Sequence, residues 1–305
     1  MTRLPRILLL GEQGQLGWEL QRTLAPVGEV IAVGRRSRPW AADLARPKDL
    51  VSLVEALGPD WVVNAAAYTD VDRAEREPEV ARAVNATAPG VLAEASRKCG
   101  ALLVHFSTDY VFDGTAACPY DEEAPTNPIN CYGHSKRDGE RNAMAATDAC
   151  VILRTSWLYS NRGRNFVHAI RQLAREREQL DIVDDQRGAP TWARHVAEAT
   201  AQILAQLGLE RDRWPARSGI YHLSAAGDAT RHGFATRIVE HLCRQEGLPA
   251  RTLRPVASRD LQSPARRPAY SVLDNGKLRR EFNIALPHWE SAFVQAQQEL
   301  MGERI

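Results

Sequence analysis

Apolar residues in the first half of the chain come in short runs: RILLL (6–10), EVIAV (29–33), WVVNAAA (61–67), ALLVHFS (101–107) and CVILRTS (150–156). Between them QLGWELQRTL (15–24) and EVARAVNATAPGVLAEASRKC (79–99) repeat their apolar residues at helical spacing. Continuous apolar runs of this length, separated by helical patterns, are the pattern of parallel strands buried on both faces and joined by crossover helices. The expectation is an α/β fold built on a doubly wound parallel sheet. After Arg154 the rhythm loosens. NFVHAIRQLARERE (165–178) and TWARHVAEATAQILAQL (191–207) read as helices, GIYHLS (219–224) as one more strand, and the rest carries Pro-rich turns such as RRPAY and ALPHW. A smaller α+β C-terminal domain for substrate is therefore expected against the strand ends, with residues 1–155 and 193–224 forming the nucleotide-binding unit and 156–192 and 225–305 the substrate-binding unit.

Composition narrows the function classes. A chain of 305 residues with 39 basic and 38 acidic side chains has a net charge of +1, which leaves no electrostatic footprint for nucleic acid or an anionic membrane. No apolar run approaches the ~18 residues that cross a bilayer, and the N-terminal LPRILLLGEQG lacks the features of a cleaved leader. Five scattered cysteines, Cys99, Cys118, Cys131, Cys150 and Cys243, form no CxxC pair, which argues against a disulfide framework and a zinc site. The reading is a soluble, cytoplasmic protein whose anionic ligands are small and locally held.

Directly after the first apolar run, GEQGQLG places Gly11, Gly14 and Gly17 three apart at a strand-to-helix turn. Such a turn needs residues free to take φ > 0, lets backbone approach a pyrophosphate, and ends at a helix N-terminus that supplies amides and positive dipole. The GxxGxxG spacing points to a Rossmann-like nucleotide site of the short-chain dehydrogenase/reductase type. At the end of the second run an NAD enzyme would present an acid to the adenosine ribose 2′-OH. Here AVGRRSR offers Gly34, Arg35 and Arg36, with no acid at that place and two guanidiniums able to clasp a 2′-phosphate. NADPH is expected as the cofactor, with NADH as the alternative.

The chemistry is read from NCYGHSK. Tyr132 and Lys136 stand four apart, on one face of a helix, with His134 turned away. A tyrosine is a poor acid at neutral pH unless a nearby cation stabilises its phenolate, and Lys136 is placed to do that and to bond a nicotinamide ribose. Tyr132 would then protonate a carbonyl oxygen as a hydride reaches its carbon. In HFSTDYVFDG, Ser107, Thr108 and Asp109 end a strand at the same crevice, and Thr108 is the choice for the third donor.

These residues, together with NAAAYTDVDRAE (64–75), RTSWLY (154–159), NF (165–166) and DQRGAPT (185–191), make the chain resemble the extended short-chain dehydrogenase/reductases across both halves. Within them it resembles the branch that reduces the C4 ketone of dTDP-4-dehydro-L-rhamnose with NAD(P)H, the last step toward dTDP-L-rhamnose for bacterial surface polysaccharides. The resemblance implies that Gln15 and Leu16 join the glycines at the pyrophosphate, that Asp43 and Leu44 border the adenine, and that Ala66, Ala67, Tyr68 and Thr69 line the nicotinamide side. It also implies that Thr108 and Asp109 meet the sugar of a dTDP-4-keto-6-deoxy substrate, and that Trp157 packs on it. Some relatives hold magnesium at a dimer interface with glutamates; here Arg194 stands at one of those places although Glu19 is retained, so no essential metal is expected, and a homodimer is left open.

Other features carry less. Asp70 and Asp72 read as cap or solvated turn, His105 as a core histidine, and Arg266 and Arg267 as contacts to the substrate diphosphate or as exposed surface. Two rival readings are an epimerase or dehydratase on a nucleotide sugar, and a non-catalytic regulatory subunit of this fold. The first would need a further acid and base beside Asp109, and the second is opposed by an intact Tyr132 and Lys136.

Overall fold

The computed structural model describes residues 3–302. The five apolar runs form strands β1 (Arg6–Leu10), β2 (Glu29–Val33), β3 (Trp61–Asn64), β4 (Leu102–Thr108) and β5 (Cys150–Thr155). Because side chains alternate along a strand, Ile7 and Leu9 of β1 enter one core while Leu8 and Leu10 enter another on the opposite face. The same division separates Val63 from Val62, and Val104 from Leu103. A sheet covered on both faces is the only place where every residue of such a run can be buried.

Gly219–His222 adds a sixth strand at one edge, giving the order Gly219–His222, β5, β4, β3, β1, β2, with every pairing parallel. The chain leaves β1 first toward β2 and then returns past it to β3, so the direction of winding reverses at β1 and the strand ends open there into a crevice. Helix α1 (Gln15–Leu24) shares the first core with the helix Ala193–Leu207, and the helices Pro47–Leu57 and Ala88–Cys99 share the second. A third core gathers Tyr159, Ile170, Phe234, Trp289 and Phe293 from the later part of the chain.

Three features depart from the sequence reading. The helix Pro47–Leu57, starting at a proline and closed by a left-handed Gly58, was not among the elements expected. The long pattern at 79–99 is broken into Pro78–Arg82, a π-helical turn at Ala83–Thr87 and Ala88–Cys99. In place of a tail of turns, the later region holds the helices Arg231–Glu246 and Trp289–Gly302. The first of these carries polar residues through much of its length, which hid its period.

The helix Cys131–Ala146 is tied to β5 by a buried fork. Arg154 donates from Nε to Glu140 Oε1 and from Nη2 to Glu140 Oε2, both at 2.8 Å, with the two side chains 2% and 3% exposed. Two parallel charge-assisted bonds fix rotation as well as distance. Removing one partner strands the other charge in the core. Glu140→Gln is expected to lower unfolding free energy by about 3 kcal/mol or more, read as a lower urea midpoint; an unchanged midpoint would show that the fork holds nothing.

Candidate active site

A cleft of about 1100 Å³ opens at the carboxyl ends of β1, β3, β4 and β5. Gly11, Gly14, Gln15, Leu16, Arg35, Arg36, Asp43, Leu44, Ala66, Ala67, Tyr68, Thr69, Thr108, Asp109, Tyr132, Lys136 and Trp157 all line it. Two of the named residues, Gly17 and Arg267, are not on its wall.

Of the three glycines only Gly11 has positive φ, +91°, and a Cβ there would lie 2.7 Å from the Ala66 amide. Gly14 is the N-cap of α1 with ordinary extended geometry and no side-chain cap bond, so the first helix amides are left for a ligand. Gly17 keeps the turn closed, since a Cβ on it would fall 2.0 Å from the Gly11 carbonyl oxygen; its close contact is with the turn itself rather than the sheet. The Gln15 side chain is engaged with the later region, accepting from Asn165 Nδ2 at 2.9 Å, which leaves its position in the cleft rather than its amide group to serve a pyrophosphate. Asp43 caps its own turn through the Ala45 amide at 3.0 Å, and Leu44 is part of the second core.

The loop after β3 is held by a residue the sequence reading passed over. Asn85, inside the π-helical turn, accepts from the Tyr68 amide at 2.8 Å and donates to the Tyr68 carbonyl at 2.9 Å and to Ser135 at 3.0 Å. Gly139 lies against it, where a Cβ would come 2.0 Å from the Asn85 carbonyl oxygen. This ties Ala66–Thr69 to the helix that carries Tyr132. A local widening of a helix at a site is the one signal that pointed there, and it appears only in three dimensions.

Asn130 caps that helix, accepting from the Gly133 amide at 2.7 Å. Tyr132 and Lys136 both reach the cleft from it, and His134 is exposed, as the spacing predicts. Their electrostatics differ from the simple pair expected. Lys136 Nζ donates to the Phe106 carbonyl at 2.6 Å and lies 3.4 Å from His105 Nε2, whose other ring nitrogen is 3.1 Å from Asn64 Nδ2. Burial lowers the Lys136 ammonium to about 8, with Glu140 opposing. His105 is a buried neutral histidine, held well below its ordinary value by desolvation and then by Lys136, and it also positions the lysine. Tyr132 keeps some exposure to the cleft, yet the atoms packed around it push its phenol well above the ordinary value, against a hydrogen bond with Thr108. The phenol is therefore protonated at neutral pH, the state an acid needs.

Thr108 donates to Asp109 Oδ1 at 3.0 Å and accepts from the Tyr110 amide at 3.2 Å. Asp109 is buried and raised by desolvation; Ser156 at 3.1 Å and Ser271 at 2.5 Å both donate to its Oδ2. Two other cleft hydroxyls, Ser107 Oγ and Thr155 Oγ1, are buried without a hydrogen-bond partner among the described residues. Uncapped helix amides, a glycine wall and orphaned hydroxyls in the same cleft as Lys136 fit a nicotinamide dinucleotide.

Three expectations need correction. Arg267 is committed to Asp72, Nη2 to Oδ2 at 2.7 Å, so Asp72 is an ion-pair partner while Asp70 caps a turn through the Arg73 amide at 3.0 Å; Arg266 is exposed. Arg231, which no sequence signal singled out, is a further cation on the cleft wall. Its guanidinium lies 3.6 Å from the Trp157 ring centre, is destabilised by desolvation, and forms no ion pair among the described residues. Trp157, with φ +43°, thus presents a face already covered by arginine. At the end of β2 a carboxylate is present after all: Glu12 accepts from Ser37 at 2.5 Å, and Ser37 accepts from the Gly34 amide at 2.7 Å. Elsewhere, Cys131 donates to Glu75 at 3.2 Å and its thiol is raised by burial and then by that carboxylate, which dulls it toward thiol reagents.

The retained Glu19 is bound by Arg194, Nε to Oε2 at 2.6 Å, and Arg194 also reaches Glu299 at 2.8 Å. No cluster of three or more metal-ligating side chains occurs among the described residues, and no helix of theirs is long and apolar enough to cross a membrane.

A doubly wound sheet with an uncapped glycine turn, and Tyr132 and Lys136 facing it, defines an NAD(P)-dependent short-chain dehydrogenase/reductase of the extended type. The model of the RmlD substrate binding domain family matches residues 5–301. The dTDP-4-dehydrorhamnose reductase of Burkholderia thailandensis is 45% identical over 301 residues, 98% of this chain and 100% of that protein. The enzyme of the same name from Salmonella typhimurium is 43% identical over 93% of this chain and 94% of its own. Among solved structures, dTDP-4-dehydrorhamnose reductase from Bacillus anthracis in complex with NADP superposes with a TM-score of 0.87 at 31% identity, covering 97% of this chain and 99% of that one. The chain belongs to the dTDP-4-dehydrorhamnose reductase family.

Lys136 allows a test of what the site costs. Its folded value, about 8, is below the ~10.4 of a free lysine, so between those values the unfolded chain binds more protons and stability rises with pH. Lys136→Met is expected to be more stable than the parent at pH 7 by about 2–3 kcal/mol, with the gap closing toward pH 10, in urea titrations at several pH values. A variant less stable at pH 7 would mean that the ammonium is a structural asset.

Proposed function

We propose that the protein reduces the C4 ketone of dTDP-4-dehydro-L-rhamnose to the secondary alcohol of dTDP-L-rhamnose, in the cytoplasm, with NADPH as hydride donor. Bound NADPH supplies a hydride to C4. The observation that carries the reading is the meeting of Tyr132, Thr108 and Lys136 in one cleft with the glycine turn, in a chain so similar along its whole length to reductases of that name. Residues 1–155 with 193–224 act as the nucleotide-binding unit, and 156–192 with 225–305 supply the substrate-facing wall.

Tyr132 donates its phenolic proton to the carbonyl oxygen as the hydride arrives, so the oxygen ends as hydroxyl and the phenolate must be reprotonated. Its elevated affinity for the proton suits it to hold that proton until charge develops on the oxygen. Thr108 has one hydroxyl proton, which Asp109 accepts in the free site; turned from Asp109 to the substrate, with the Tyr110 amide still on its oxygen, it is the second donor on the same carbonyl oxygen. Lys136 spends one of its donors on Phe106, and its remaining N–H groups serve the nicotinamide ribose. Gly11, Gly14, Gln15 and Leu16 hold the pyrophosphate, Arg35 and Arg36 the 2′-phosphate, Asp43 and Leu44 the adenine, and Ala66–Thr69 the nicotinamide side. Arg231, mounted on Trp157, takes the anionic part of the sugar nucleotide, the role first looked for at Arg267.

Asp109 also weighs against a dehydratase. It is the one acid beside Thr108 on β4, and its oxygens are bound by Thr108, Ser156 and Ser271, which leaves it a fixed acceptor instead of a mobile acid–base pair.

The direct test follows NADPH oxidation with the 4-keto sugar supplied as the dTDP and then the UDP derivative; stoichiometric consumption with the dTDP form is expected, and none with either form would end the reading. Tyr132→Phe should lower kcat by ~10²-fold or more with NADPH affinity retained in a fluorescence titration, and unchanged turnover would remove Tyr132 from the chemistry. Arg231→Met should raise KM for the sugar nucleotide by ~10-fold or more, the reach of a lost bond to a charged group, while NADPH affinity stays constant. A fall in NADPH affinity instead would move Arg231 to the cofactor side.

A further inference from the structure

The end of β2 carries a carboxylate as well as two arginines. Arg35 and Arg36 are exposed on the cleft wall and form no ion pair among the described residues. Glu12, from the glycine turn, is not itself on the cleft wall, but its neighbours Gly11, Gln13 and Gly34 are; it forms no ion pair among the described residues, and its carboxylate is held against Gly34 by a relay in which the Gly34 amide donates to Ser37 at 2.7 Å and Ser37 to Glu12 at 2.5 Å. A Cβ on Gly34 would lie 3.2 Å from Glu12 Oε1, so the carboxylate covers the last residue before the arginines, and the missing side chain makes room for it. The Gly11 amide, bonded to the Val33 carbonyl at 2.9 Å, pins the glycine turn to the same strand end.

In a nucleotide-binding sheet of this kind the acid that meets the adenosine ribose sits at the end of the second strand. We propose that Glu12 supplies that acid from the glycine turn, so that this end of the cleft reads the ribose 2′ position with two opposed groups: Glu12, which accepts a free 2′-hydroxyl and repels a 2′-phosphate, and Arg35 with Arg36, which attract the phosphate. Glu12 is thus the residue that admits NADH and limits the preference for NADPH. Ser37 aims it, with its proton given to the carboxylate and its oxygen occupied by the Gly34 amide. The inference rests on the cleft being the dinucleotide site, as proposed above.

The test reads binding in the intact chain. NADPH and NADH are titrated by their own fluorescence, with calorimetry as a check, against the parent protein, Glu12→Gln and Arg36→Ala. Glu12→Gln preserves an acceptor for Ser37, so the turn is expected to fold; an unchanged thermal transition verifies this. Removing the charge should tighten NADPH, weaken NADH, and raise the ratio of the NADH to the NADPH dissociation constant by about tenfold, as for like charges parted at a half-solvated site. Arg36→Ala should move the ratio the other way, and raising salt should shrink the difference between parent and Glu12→Gln. A ratio unaltered in Glu12→Gln overturns the role of Glu12 even if both nucleotides bind well. Failure of the parent to bind either nucleotide is a different result, and it would overturn the dinucleotide site itself.

Discussion

The site depends on how the helix Cys131–Ala146 is seated on β4 and β5. The Lys136 ammonium is held 2.6 Å from the Phe106 carbonyl, and one turn further along Glu140 is forked by Arg154. The first contact draws an ammonium out of water, and the second supplies a buried pair of opposite charge that stops the helix from turning away. With that seat in place Tyr132 faces Thr108, Asn85 can reach both Tyr68 and Ser135, and the glycine turn lies across the same opening. Moving the helix by one residue would rotate Tyr132 by about a quarter turn or more and dissolve the arrangement.

Desolvation then sets the chemical character of each group. It raises the Tyr132 phenol and lowers the Lys136 ammonium, so the tyrosine keeps its proton and the lysine holds its charge less firmly than in water. It raises Asp109 as well, but three hydroxyls hold that carboxyl in place. At Arg231 the same physics opposes a cation that an aromatic face, Tyr110 and the more distant Asp109 support without an ion pair among the described residues.

Some of these features were legible early because they are local. The shared face of Tyr132 and Lys136 and the outward turn of His134 follow from helical spacing alone. Others required distant partners. Arg267 looked free in a Pro-bounded turn, but Asp72, 195 positions away, takes its charge. His105 read as a core residue, which it is, yet its ring also stands beside Lys136.

By itself the sequence determined the parallel sheet, the glycine turn at its first strand end, and the tyrosine and lysine of one helical turn, since each is set by spacing within about twenty residues and by the burial of apolar runs. Only tertiary structure decided which charges are paired: Arg267 is bound by Asp72, while Arg231, Arg35 and Arg36 stand in the cleft with no ion pair among the described residues, and Glu12 is held by Ser37. The physical reason is that an ion pair or a desolvated charge depends on distance in space, and the chain must be packed before its remote segments have any.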